Sequence, residues 1–255
     1  MAERNNPIIR VENLSAAFNG TPVLREVSFE VERGEIFVIL GGSGSGKTTL
    51  LKNMIALHQP ASGRVVIGGE DLTQAPAETR LRILRKIGVM YQSGALFGSM
   101  TLLENVRLPL DELTALPRSA RNLVARMKLQ LVKLEEFAEY VPAEVSGGMK
   151  KRAALARAIA LDPQILFLDE PSAGLDPITS AELDQIILEL SRNLGLTFVV
   201  VSHEMESVYA IADRVIMLGG AEGRIIAQGK PAGLRDRSPD PWVRSFFRRE
   251  PAMGK

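Results

Sequence analysis

Nine consecutive residues constrain this chain more than any other feature: Gly41, Gly42, Ser43, Gly44, Ser45, Gly46, Lys47, Thr48 and Thr49. They lie between an apolar run at 36–40 and a helical-looking stretch at 50–57. Glycines let backbone N–H groups turn inward around phosphate oxygens, and a helix that starts directly behind them aims its partly positive N-terminus at the same place. The G-x-x-x-x-G-K-[ST] spacing assigns Lys47 to the β- and γ-phosphates of a nucleotide and the Thr48 hydroxyl to Mg²⁺. An ordinary Gly/Ser loop would not need a strand before it and a helix after it. The expectation is a phosphate-binding loop at the centre of an α/β domain.

The rest of the chain narrows the setting. A length of 255 residues allows one large α/β domain or two small ones, and 45% hydrophobic with 24% charged residues is a globular composition. A net charge of +1 argues against a dedicated nucleic-acid surface, so no nucleic-acid partner is expected. The absence of cysteine removes disulfides, thiolate zinc sites and thiol catalysis. The opening residues are charged without an apolar core, and no stretch approaches eighteen apolar residues in a row. The chain is therefore expected neither to cross a membrane nor to carry the usual export signal.

From residue 8 to residue 31 the pattern is short and alternating, with a turn expected at Asn19, Gly20, Thr21 and Pro22, which predicts antiparallel strands. A similar strand recurs at 63–67, so a small β layer is expected beside the nucleotide. Phe18 in that layer either stacks on a base or packs under a turn. The later runs at 87–91, 165–168, 196–201 and 214–218 are continuously apolar, as strands covered on both faces are. Residues 99–160 differ. Leu102, Leu103 and Val106, then Leu123, Val124, Met127, Leu131 and Leu134, follow a helical period, which predicts a helical subdomain inserted into the α/β domain.

Two further constellations carry chemistry. Asp169 and Glu170 end the run at 165–168, where α/β sheets place their ligands. Because successive strand residues point to opposite sides, Asp169 is suited to hold Mg²⁺ and Glu170 to polarise the water that attacks the γ-phosphate; helix capping is the competing explanation. Ser146, Gly147, Gly148 and Met149 precede Lys150, Lys151 and Arg152 at the start of an alanine-rich helix. Three cations in a first turn oppose the helix dipole, an arrangement that makes sense if an anion docks there.

With these residues in order, the chain resembles the ATP-binding subunits of ATP-binding-cassette (ABC) transporters. The corresponding motifs are Walker A at 41–49, the signature at Ser146 to Met149 and Walker B at 165–170. Phe18 matches the A-loop aromatic, Gln92 the Q-loop, 173–176 the D-loop and His203 the H-loop. Met149 departs from the usual glutamine and puts only that last side-chain contact in doubt. The resemblance implies a RecA-like P-loop NTPase: a mostly parallel core at about 8–92 and 163–230, an antiparallel β layer, and a helical subdomain inserted at about 93–162. It implies a single cassette over 8–240, followed by a tail at 241–255.

It further implies ATP and Mg²⁺ as ligands, with Phe18, the loop 41–49, Ser146, Gly147 and Gly148 on the nucleotide. Thr48, Gln92 and Asp169 would serve the metal, and Glu170, His203 and Gln92 the hydrolysis. Such cassettes form head-to-tail homodimers in which the signature helix of one copy covers ATP held by the other, and they drive an integral-membrane permease from the cytoplasmic face of the inner membrane. The stretch Ser93-Gly94-Ala95-Leu96-Phe97 together with Met149 is similar to the ATPases of MCE-domain phospholipid transporters, which implies an MCE-domain protein and accessory subunits as further partners. Importer ATPases for amino acids share much of this vocabulary, and soluble ABC proteins without a permease form another class. The segment after Gln92, with Leu96, Phe97, Met100 and Leu102, is expected either to receive a permease helix or to pack in the core. In the tail, a helix from Trp242 would place Trp242, Val243, Phe246 and Phe247 on one face, covered by its own domain, the partner copy or a membrane.

Overall fold

A computed structural model describes residues 7–18, 20–219 and 223–250. Strands β1 (Ile9–Phe18) and β2 (Thr21–Val31) form the expected antiparallel pair, with Ile9 opposite Val31 and Phe18 opposite Thr21. Asn19, in the expected turn, lies outside the described residues. The chain then enters a second sheet as β3 (Ile36–Gly41), every residue of it buried, and turns through the glycine loop into α1 (Lys47–Met54). Strands β4 (Ser62–Ile67) and β5 (Glu70–Asp71) return to the first sheet, whose order is β2-β1-β4-β5.

Helix α2 (Ala77–Leu84) and strand β6 (Ile87–Met90) lead into the helical stretch, formed by α3 (Leu102–Leu113), α4 (Arg118–Leu131) and α5 (Gly147–Ala158). Thr101 starts α3 through a capping box: its hydroxyl accepts from Glu104 N at 3.1 Å while Glu104 accepts from Thr101 N at 2.9 Å. The second sheet resumes with β7 (Ile165–Asp169), α6 (Pro177–Leu194), β8 (Thr197–Val201), α7 (Met205–Ile211), β9 (Arg214–Leu218) and β10 (Ile225–Gly229). Its order is β10-β9-β3-β8-β7-β6, parallel throughout except for the antiparallel edge strand β10. Helices α8 (Pro231–Arg237) and α9 (Pro241–Arg248) close the described chain.

Strand periodicity explains why the central strands read as continuous apolar runs. Side chains of one strand alternate between faces, and each face here has its own core. Val38, Leu40, Leu166, Leu168, Phe198 and Val200 meet the helices. Phe37, Ile39, Ile165, Phe167, Val199 and Val201 meet α1 and the antiparallel sheet.

On α4 the stripe Leu123, Met127 and Leu131 faces outward, Leu123 being 62% and Met127 55% exposed, whereas Ala125, Lys128 and Leu129 form the buried face. The expected helix forms, with Leu123, Met127 and Leu131 on its outer side, while Val124 packs against the core and Leu134 beyond the helix is buried. The helix expected from Trp242 forms as α9. Asp240 caps α9 by accepting from Trp242 N at 2.8 Å, Val243 and Phe247 are buried in the helix-side core, and Tyr209 Oη donates to Phe247 O at 2.9 Å. The apolar face expected of this segment is therefore covered by its own domain, while Trp242 remains 38% exposed.

Candidate active site

The loop after β3 takes its shape from backbone constraints. Gly46 has φ 95°, and a Cβ there would lie 2.7 Å from Leu24 Cδ2, so both conformation and space demand glycine at the entry to α1. Lys47 folds back over the loop and donates from Nζ to Gly41 O at 2.8 Å and Gly42 O at 2.9 Å. Burial pulls its ammonium pKa down, while Glu170 and Asp169 push it up. Ser45 is fully buried with its Oγ lacking a hydrogen-bond partner; Ser43, Gly44 and Thr48 are exposed, and Gly42 and Thr49 half-buried.

Parallel pairing of β3 with β8, and of β8 with β7, brings the ends of these strands side by side, with Asp169 opposite Val201. Asp169 is the last residue of β7 and is buried, its Oδ1 without a partner. Burial raises its carboxyl pKa and the neighbouring Glu170 raises it further, against the opposing pull of Lys52, Lys47 and Lys151.

Glu170 is not one more step of strand alternation. Its backbone is left-handed, φ 50°, an uncommon conformation for a residue with a side chain. The direction of Glu170 therefore comes from this local turn and not from the strand period. Its N–H donates to Val201 O at 2.9 Å. Nδ1 of His203 lies 2.8 Å from Glu170 Oε2, although that oxygen has no donor aligned for a hydrogen bond. His203 follows Ser202, whose Oγ accepts from Glu204 N at 3.0 Å and shapes the turn after β8.

Lys47, Asp169, Glu170 and His203 are thus assembled around one loop. Gln92 follows β6 with an exposed side chain, and its carbonyl is tied to this group through Lys151 Nζ, which also reaches Glu170 O at 3.2 Å. Phe18 stands at the end of β1. Ser146, Gly147 and Gly148 lie elsewhere. Ser146 Oγ caps α5 by accepting from Met149 N at 3.2 Å, and Gly147 faces Leu175 at the approach to α6. A Cβ at Gly148 would collide with Thr179 Cγ2, so this glycine lets α5 and α6 approach closely whatever else it does. Met149 packs against the helix-side core. Asp176 caps α6, accepting from Ile178 N at 3.1 Å and Thr179 N at 3.0 Å.

Of the three cations expected to oppose the dipole in the first turn of α5, only Lys150 lies there. The helix begins at Gly147, so Lys151 and Arg152 fall beyond its first four residues, and Lys151 is buried against carbonyls. Sequence reasoning read Lys151 only as one of three cations awaiting an anion, not as a buried ammonium on carbonyls, and did not single out Arg157 or the buried, unpartnered Ser172 Oγ. A signal was available for Lys151. It shares a helical face with Gly148, Ala154 and Leu155, the buried side of α5.

Residues 24–173 match the family described as ABC transporter. This chain belongs to the ABC transporter family. It is 41% identical over 241 residues to the intermembrane phospholipid transport system ATP-binding protein MlaF of Escherichia coli K12, covering 94% of this chain and 88% of that one. It is 40% identical over 239 residues to a probable ribonucleotide transport ATP-binding protein, mkl, of Mycobacterium leprae, covering 94% and 68%. Among solved structures it is similar to the dimeric post-hydrolysis state of the ATP-binding cassette MJ0796 bound to ADP and Pi, with a TM-score of 0.79, 31% identity, and coverage of 87% of this chain and 98% of that one. The chain is an ABC-type ATPase with the P-loop NTPase fold, the ATP-binding and ATP-hydrolysing subunit of a transporter. No helix among the described residues is long and apolar enough to cross a membrane.

Proposed function

We propose that this ABC ATPase powers phospholipid transport, working as a head-to-tail dimer of two copies on a permease at the cytoplasmic face of the inner membrane, with an MCE-domain protein in the assembly. The observation that carries the catalytic reading is the convergence of Lys47, Asp169, Glu170 and His203 at neighbouring strand ends beside one glycine loop. Phospholipid as cargo is supported by the relative named for intermembrane phospholipid transport. The dimer is supported by the dimeric cassette that shares the fold.

In this reading residues 8–240 form one cassette, with 93–162 as its helical subdomain. Loop 41–49 cradles the phosphates, Lys47 exchanges its two carbonyl partners for β- and γ-phosphate oxygens, and Phe18 takes the base. Ser146, Gly147 and Gly148 serve ATP held by the partner copy. Thr48, Asp169 and Gln92 are the residues for Mg²⁺. The partnerless Oδ1 of Asp169 fits that role, since buried anionic oxygen without a donor is matched by a cation. When bound, the ion neutralises charge on the β- and γ-oxygens. Glu170 takes the proton of the attacking water, and His203 beside it orients that water against the γ-phosphate.

The test is Glu170→Gln. ATP affinity is retained while turnover in the presence of the permease falls by about 10²–10⁴, the usual contribution of a positioned base. Hydrolysis at the wild-type rate would refute the assignment. The relative named for ribonucleotide transport favours a second cargo reading. ATPase stimulation of the reconstituted transporter by phospholipid and not by ribonucleotide decides between the two.

A further inference from the structure

Lys151 is a buried lysine, 8% exposed, whose hydrogen-bond partners are carbonyls and not carboxylates. Removing an ammonium from water is costly; the Glu170 and Asp169 carboxylates favour its charge from nearby, while its hydrogen bonds go to two carbonyls whose places they fix. The geometry is specific. From α5 the single ammonium bridges Gln92 O, just beyond β6, and Glu170 O, just beyond β7.

The Glu170 peptide is thereby held on both sides. Its N–H is bound to Val201 O at 2.9 Å and its C=O to Lys151 Nζ at 3.2 Å, around a left-handed φ of 50°. Such a conformation persists only where surrounding contacts over-determine it. Arg157, further along α5, grips the same segment: Nη1 donates to Ala95 O and Nη2 to Gly94 O, both at 2.8 Å, across two residues that are also left-handed, φ 72° and 49°. One helix thus fastens the backbone after β6 at three carbonyls and the catalytic turn at a fourth.

We propose that Lys151 is a positioning residue that sets the orientation of Glu170 and Gln92 according to the placement of α5, so that hydrolytic competence follows the helical layer. Displacement of α5, whose start carries Ser146, Gly147 and Gly148, pulls directly on the backbone that aims Glu170. This inference rests on the reading of Glu170 as general base.

The experiment uses the full-length protein with Mg-ATP in steady-state hydrolysis, with melting temperature measured alongside. Lys151→Met lowers kcat by about tenfold or more while KM for ATP stays within about twofold, the pattern of a lost transition-state interaction. Lys151→Arg, which keeps a charged donor, restores most of the rate. In a Glu170→Gln background Lys151→Met produces much less than its full loss, because most of its effect passes through Glu170 and only the remainder through Gln92. Should Lys151→Met not fold, Lys151→Gln is measured against Lys151→Arg in the same way. An unchanged kcat, an Arg variant as slow as Met, or a full additional loss in the Glu170→Gln background overturns the inference. Wild-type hydrolysis by Glu170→Gln alone overturns instead the reading of Glu170 on which it rests.

Discussion

Asp169 is held where an anion is disfavoured. Burial and the adjacent Glu170 raise its carboxyl pKa above the ordinary 3.8, and its Oδ1 has no donor. Such a group makes the ligand-free protein less stable near neutral pH than a neutral isostere would. Asp169→Asn is therefore expected to raise the melting temperature of the nucleotide-free protein while abolishing Mg-dependent hydrolysis. A lowered melting temperature would show that Asp169 is needed for the fold itself. Lys47 illustrates the complementary arrangement, a half-buried ammonium kept in place by Gly41 O and Gly42 O, close enough to feel both carboxylates.

Helices α6 and α7 follow the segment after Glu170 and the turn at His203, and they meet through a small polar seam. Ser180 Oγ lies 3.2 Å from Ser207 Oγ, and Asp184 of α6 is buried beside Ser207. Burial raises the Asp184 pKa, and the Ser207 hydrogen bond only partly offsets this. A carboxyl with a raised folded pKa binds more protons folded than unfolded between its two pKa values. Its contribution is fully present below the unfolded value and is lost as pH rises through the folded one. Stability from this seam accordingly falls with rising pH in the acidic range above about 3.8. Asp184→Asn is expected to flatten that part of the melting temperature against pH profile and to raise the melting temperature at neutral pH. An unchanged profile would mean that other groups dominate it.

At the scale of the molecule, the six-stranded sheet separates two cores, and the helical layer and α9 belong to the same one. Val243 and Phe247 are 0% and 2% exposed, with the Phe247 ring edge-to-face against Tyr209 at 6.4 Å. Phe247→Ala should cost about 3–5 kcal/mol, the usual loss for a buried phenylalanine, read as a lower melting temperature with ATP binding by a single copy preserved. A variant that melts normally but fails to dimerise would place the important contact on the partner. Ser146→Arg tests the assembly from the other side. It leaves ATP binding near normal and blocks ATP-dependent dimerisation, because the exposed start of α5 would collide with nucleotide on the second copy. A fall in binding to a single copy would contradict the head-to-tail arrangement.

Local spacing alone determined the loop 41–49, the strand ahead of it, the acid pair at 169–170 and the buried parallel strands, since each is a short-range consequence of glycine placement, charge and apolar runs. The family too was legible, from the order of the motifs along the chain. Only the tertiary structure decided which side of α4 is buried, because an apolar stripe marks a face without saying what lies against it. It alone turned Lys151 inward from a run of three adjacent cations, since the environment of a side chain depends on the elements packed around it. It also decided the left-handed turn that aims Glu170. Contacts from β8 and α5, distant in sequence, hold that peptide on both sides, and a motif read along the chain contains no record of them.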